Sequence, residues 1–357
     1  MTNMVDTRTL QSEDGFTLIE LMIAALVTTV IMGVAFSTFD NALQLNESVL
    51  SLADSSQNLR AGTNILVRDL MQAGRNLPIG GISIPTGTGA AAIHRPSPPT
   101  QTYFFDNTTA TSLSSIVTGA SKGPTVDGRT TDIITILMDD PFLAPLTVNP
   151  STTAGAVPKL TATGDAFSVG TSTTWLQGDV AEEIPAIKVG DLMYFLNASG
   201  STIQTVTSVD ASTVYFEPND PFMFNQRTVT AGSITQILGP AMTVRRVYMY
   251  SYWVADDVGV PRLMRALNMY PATALAGIVE DLDLNYDLVD GVVNPVNVPD
   301  LPYTTGGNTF SASQIRKVNV HVGVRSETKS KKSNDYLRNH VSTVVSVRNL
   351  AYVDRYK

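Results

Sequence analysis

The 357-residue chain carries 24 Lys and Arg against 32 Asp and Glu, a formal net charge of -8, and so lacks the basic surplus with which a general nucleic-acid binder displaces counterions. It has no cysteine, which excludes disulfides, thiolate metal sites and cysteine nucleophiles. With 43% hydrophobic and 16% charged residues, it is a folding sequence with a polar Thr/Ser/Gly-rich surface, long enough for a full core and two domains.

The first fifteen residues are polar and include Asp6, Arg8, Glu13 and Asp14. Gly15-Phe16-Thr17-Leu18-Ile19-Glu20 then runs into a long apolar stretch. From Leu18 to Phe36 only Glu20, Thr28, Thr29 and Gly33 interrupt the apolar side chains. A helix of that length spans roughly 28 Å at ~1.5 Å per residue, the thickness of a bilayer's hydrocarbon core. A carboxylate inside such a segment costs about 2.5 to 3.5 kcal/mol on insertion scales. Glu20 therefore calls for a cationic partner. Cleavage after Gly15 would supply one: the new α-amine of Phe16 could pair with Glu20 of a neighbouring copy.

Gly15 to Glu20, followed by this apolar helix, resembles the class III signal of type IV prepilins and type II secretion pseudopilins. The resemblance implies that a membrane prepilin peptidase cuts after Gly15 and methylates Phe16, and that Glu20 serves assembly. It also implies the partners: the peptidase, other major and minor pilins, and the inner membrane. The precursor would sit in the inner membrane and the mature chain in a pilus, the periplasm or the cell surface. The leader departs from the pattern, since prepilin leaders are basic and this one has three acids against one arginine. The positive-inside rule also asks for more Lys or Arg there. Two other readings of the segment are an uncleaved anchor with Glu20 reaching the headgroups and a secretory signal cut near Ala35-Phe36-Ser37.

No proline precedes Pro78, and the helical pattern continues. Leu45, Val49, Leu52, Ser56, Leu59, Thr63, Leu66, Leu70 and Ala73 recur at spacings of four and three and predict one buried stripe. Glu47, Asp54, Gln57, Arg68 and Arg75 lie opposite. Gly74 offers a left-handed stop, with Pro78 and Gly80-Gly81 beyond it. A coiled-coil stalk over 41–74 is the alternative, but Ser56 and Thr63 suit packing on a sheet better than a strict seam. The segment Arg68 to Gly74 resembles the end of this helix in PilW-type minor pilins.

Residues 78 to about 130 read as a Gly/Pro/Ser/Thr-rich loop with one or two short strands, in which only Tyr103-Phe104-Phe105 is dense enough to pack. Ile133 to Met138 reads as a buried strand. Ile187 to Leu196, Thr202 to Val209 and Thr213 to Phe216 predict a small antiparallel barrel-like or meander insertion. After Pro240, alternation predicts a long strand over Val244 to Trp253, a second over Arg262 to Leu267, and a third over Leu275 to Tyr286. A loop over 290–313 follows. Val318, Val320, Val322 and Val324 then mark another strand, and Val341 to Leu350 the last. This half resembles the carboxy-terminal part of PilW-type minor pilins and J-type pseudopilins, through its tyrosine-rich strand, Arg262-Leu263-Met264-Arg265, Val279-Glu280-Asp281-Leu282 with Tyr286, and Val347-Arg348-Asn349.

The expected fold class is therefore α+β and pilin-like. It comprises a leader (1–15), a transmembrane and assembly half-helix (16–40), an amphipathic half (41–77), and a β-rich head (78–357) with an inserted β subdomain around 150–240.

Chemistry-bearing patterns are weak. His94, His321 and His340 are far apart, and none has a partner at metal-ligand spacing. Gly87-Thr88-Gly89-Ala90-Ala91-Ala92 neither follows a clear strand nor opens a helix, so it is no dinucleotide fingerprint. Ser326-Glu327-Thr328-Lys329 has serine-x-x-lysine spacing without a supporting motif. Asp283 to Asp287 begins like a calcium loop, but Leu288 stands where glycine is needed and Asn294 where glutamate is needed. Lys329, Lys331 and Lys332, with Arg325 and Arg338, form the one basic cluster, and only Tyr336 is near enough to interleave. The expectation is thus a structural protein, not an enzyme, without cofactor, metal, small-molecule substrate or nucleic-acid partner. The contrasting class is an exported adhesin or hydrolase on an uncleaved anchor.

Overall fold

The computed structural model describes residues 15–86, 92–98, 103–105, 107–108, 110–150, 159–170, 173–181, 184–227, 232–329 and 334–350. A single helix, α1 (Leu18–Gln72), leads into a β-rich head. The strands that matter below are, in chain order, β1 (Ile134–Asp139), β2 (Leu192–Asn197), β3 (Gly200–Thr205), β4 (Met242–Asp257), β5 (Val260–Leu267), β6 (Thr273–Gly277), β7 (Val279–Leu288), β8 (Ile315–Lys329) and β9 (Tyr336–Ser346). One long helix against antiparallel sheets is the α+β arrangement that the sequence predicts.

At 55 residues, α1 is roughly 83 Å long at ~1.5 Å per residue. It ends because Ala73 turns extended and Gly74 takes a φ of 74°. Gly74 donates its N–H to the Leu137 carbonyl at 2.9 Å, and a Cβ there would stand 2.9 Å from Leu350 Cδ2. Both the backbone angle and the close approach require glycine. The buried stripe is shorter than the periodicity predicts. Leu59, Thr63, Leu66, Leu70 and Ala73 are buried, whereas Leu45 and Val49 are 67% and 60% exposed. The head reaches back only to Ser56, whose Oγ accepts from Asn339 Nδ2 at 3.2 Å.

The stripe packs into the main core together with Tyr250, Tyr252 and Val254 of β4, Leu263 of β5, Ala276 of β6, and the alternating valines Val318, Val320, Val322 and Val324 of β8. Strands β7, β8 and β9 form one antiparallel sheet in that order. On its other face Asp281, Asp283, Asn285 and Asp287 alternate with the buried Leu282, Leu284, Tyr286 and Leu288, the clean in/out pattern of a one-sided sheet. The single strand expected over Leu275 to Tyr286 is in fact β6 and β7, in different sheets. The break falls at Ile278, which adopts a φ of 56°. The last strand begins at Tyr336 and ends at Ser346, earlier at both ends than its valine run predicts.

Strand β4 organises the rest of the head. Its 16 residues extend ~53 Å at about 3.3 Å each, and both faces are covered. Met242 and Val244 enter a second core with Phe167, Trp175, Phe195 and Phe216, while Val247 and Met249 enter a third with Leu77, Ile82, Leu137 and Tyr194. β4 pairs antiparallel with β2, β1 and β5 along its length, and β2 with β3. The insertion joins this sheet: the short strands Ser208–Val209 and Thr213–Tyr215 pair with each other, and the latter with Ala166–Ser168. The region 78–130, expected to be mostly loop, contributes several short strands, and Ile82, Ile84, Ile93, Leu113 and Ile116 are buried.

Candidate assembly and processing site

Gly15, Phe16 and Thr17 lie outside regular structure and are exposed ahead of α1, with Phe16 88% accessible and Thr17 extended. A Cβ added to Gly15 meets nothing within 4 Å, so the fold itself places no demand for glycine there. Thr17 is the N-cap. Its N–H and its Oγ1–H both donate to Glu20 Oε2 at 2.9 Å, and Glu20 N–H donates back to Thr17 Oγ1 at 3.3 Å. This is a capping box, which satisfies helix-terminal donors reciprocally. The Thr17-x-x-Glu20 pattern announces it, although the sequence reading of Glu20 overlooked Thr17. Glu20 is therefore held by hydrogen bonds within its own chain at the head of an apolar segment.

Beyond the cap, Leu18 to Phe36 is bare. Leu18, Ile19, Leu21, Met22, Ile23, Leu26, Val30, Ile31, Val34 and Phe36 are all exposed. Thr28 and Thr29 fold their hydroxyls back onto Ala24 and Ala25 carbonyls at 2.7 and 2.8 Å, which removes donors from the surface. This apolar cylinder reaches a mean hydropathy of 2.3 and is unburied throughout. It far exceeds the patch that a lone soluble protein exposes. Lipid or other helices must cover it.

The packed half of α1 carries a buried acid of its own. Asp69 is 3% exposed. It accepts from Tyr252 Oη and, at 2.6 Å, from Arg265 Nη2. Arg265 in turn stacks 3.8 Å over the Tyr250 ring. Helix, β4 and β5 are thereby fastened through one charged contact.

The other sequence candidates do not converge. His321 donates to or accepts from Ser342 across the sheet at 2.7 Å, and His94 meets Phe104 edge-on at 4.7 Å. Among the described residues no cluster of His, Asp or Glu is arranged to hold a metal ion. Asp283 and Asp287 lie on β7, and Asp287 accepts from Asn297 N–H and Asn319 Nδ2. Ser326 is buried and its Oγ accepts from Leu337 N–H at 3.0 Å. Arg325 is 7% exposed and stacks 3.8 Å over Tyr336, while Arg338 pairs with Glu280 at 2.6 Å. These arginines are thus structural, not an open basic face. Lys331, Lys332, the leader up to Asp14 and most of the glycine-alanine stretch from Gly87 lie outside the described residues.

Residues 10–36 match the family described as the prokaryotic N-terminal methylation motif. No curated protein and no solved structure matches the chain. The matched segment spans the capping box and the bare cylinder, and it supports a type IV pilin-like, prepilin-type protein that a prepilin peptidase processes and that assembles with other pilins in the membrane.

Proposed function

We propose that the chain is a PilW-like minor pilin, made as an inner-membrane precursor, cut between Gly15 and Phe16, methylated on Phe16, and incorporated into a type IV pilus at its initiation or tip. The observation that carries this reading is the methylation motif on a helix whose apolar first half nothing covers. Gly15 is exposed and free of any steric requirement, which fits a glycine read by a protease pocket and not by the fold. In the filament, side-by-side packing of Leu18 to Phe36 replaces lipid contacts, and the Phe16 ammonium of one subunit pairs with Glu20 of another to set axial register. The large head suits a low-copy subunit rather than the repeating one.

The test is Glu20→Val. The capping box loses one partner, but the segment becomes more apolar, so membrane insertion persists while incorporation into filaments falls by tenfold or more, the scale of about 1.4 kcal/mol. Normal incorporation of that variant contradicts the pairing. The same helix and head would serve a minor pseudopilin of a type II secretion machine. Deleting the gene separates the two: pili disappear in the first case, exoprotein secretion in the second.

A further inference from the structure

Among the described residues, Arg246 and Arg95 are the two most deeply buried arginines, and they are treated differently. Arg246, 1% exposed, donates to Asp140 Oδ2 through Nε at 2.8 Å and Nη2 at 2.5 Å, to the Pro185 carbonyl at 2.7 Å, and lies 3.8 Å from Asp191. Its charge is fully answered. Arg95, 4% exposed, has no carboxylate within ion-pair distance among the described residues. It donates only through Nη1, over the long distances of 3.4 and 3.2 Å, to the carbonyls of Val117 and Thr118, and its Nε has no partner. The nearby Asp300 is engaged by Thr118 Oγ1 and by Lys122 at 3.6 Å. Burial pulls the Arg95 guanidinium down to about 10. Tyr103, whose ring centre lies 5.8 Å from that guanidinium, keeps a buried hydroxyl with no partner, and burial pushes it up to about 12. A buried cation without a counter-charge, next to a second unanswered donor, is a costly arrangement for packing alone.

Arg95 also lines a cavity of about 260 Å³ together with His94, Ser97, Asn268 and Tyr270. The walls present donors, while Pro221, Phe222 and Met269 supply an apolar rim. We propose that this cavity binds a compact oxyanion, a carboxylate, phosphate or sulfate group, with Arg95 supplying the charge and Asn268, whose buried Nδ2 has no partner, a second donor. A guanidinium fork suits that chemistry because it meets two oxygens of one planar or tetrahedral anion.

The experiment uses the full chain in detergent. Sodium phosphate, sulfate and acetate are titrated against sodium chloride at matched ionic strength while tryptophan fluorescence is followed, since Trp253 is buried with Tyr103 and Ala266. The expected result is a saturable change with at least one oxyanion and none with chloride. Arg95→Gln should weaken it about tenfold or more, the scale of a lost charge-assisted hydrogen bond, and Asn268→Asp, which sets a carboxylate in the cavity wall, should weaken it as well. A response that never saturates, or one equal in the wild type and a folded Arg95→Gln protein, overturns the proposal, because it reflects general salt exclusion. Should Arg95→Gln fail to fold, unchanged affinity in Asn268→Asp, which keeps the shape and the acceptor for Met249 N–H, is the overturning result. Neither outcome bears on whether the chain is a pilin.

Discussion

Asp69 is the residue on which the helix and the head depend most directly. Its carboxylate is buried and receives Tyr252 Oη and Arg265 Nη2, so removing it strands a cation against Tyr250. Asp69→Ala is expected to cost about 3 kcal/mol or more, the usual penalty for breaking a buried pair. Arg68→Ala, although Arg68 Nε lies 3.5 Å from the same carboxylate, removes a side chain that is 62% exposed and should change stability by less than about 1 kcal/mol. Urea unfolding of the two variants separates them, and equal losses would show that the network does not fasten the helix. In the sequence, Asp69 and Arg265 each stood inside a noticed segment, but nothing in either segment says that they meet across 196 residues. Glu20 was legible as an acid at the head of an apolar run. Its partner Thr17 was equally legible from the spacing, because a capping box is a local rule and needs no tertiary knowledge.

At the scale of the element, α1 does two jobs with one unbroken helix, and the change falls where the apolar stripe first meets the head near Ser56. Closest approach occurs at Gly62, where a Cβ would come within 2.7 Å of Ala276 Cβ on β6. Alanine is the better helix former by about 1 kcal/mol. Even so, Gly62→Ala is expected to destabilise the protein by about 1 to 3 kcal/mol through overpacking, and Ala276→Gly in the same chain should restore most of the loss. A simple gain in stability for Gly62→Ala would mean that helix and strand separate freely at this point. Periodicity revealed the helix and the long strands β4 and β8 because their alternation is sustained. It failed where local backbone overrides pattern: the positive φ at Ile278 divides one apolar run between two sheets, and the two-residue strands of 78–130 are too short to show any period.

For the whole molecule, the sequence conveyed the division into an uncovered rod and a β-rich head, since one half of the helix has nothing polar to turn outward. The way the head shares strand β4 among three cores was not legible, because a strand buried on both faces shows only that it is buried, and not against what. Nor was the Arg246–Asp140 contact, which joins β4 to the residue just after β1. The consequence for function is that a head of several sheets packed on shared cores is carried on a helix whose apolar half must leave water. On the proposed function, proteolysis after Gly15 would free an ammonium to meet Glu20 of a neighbouring subunit, which suits such a helix to a filament rather than to an anchor. Intact-mass and fragment analysis of the mature chain, taken from purified filaments or envelope complexes, tests this most directly. It should find an amino terminus at Phe16 carrying one methyl group, and a chain that still begins at Met1, or one that starts near Thr38, would contradict it.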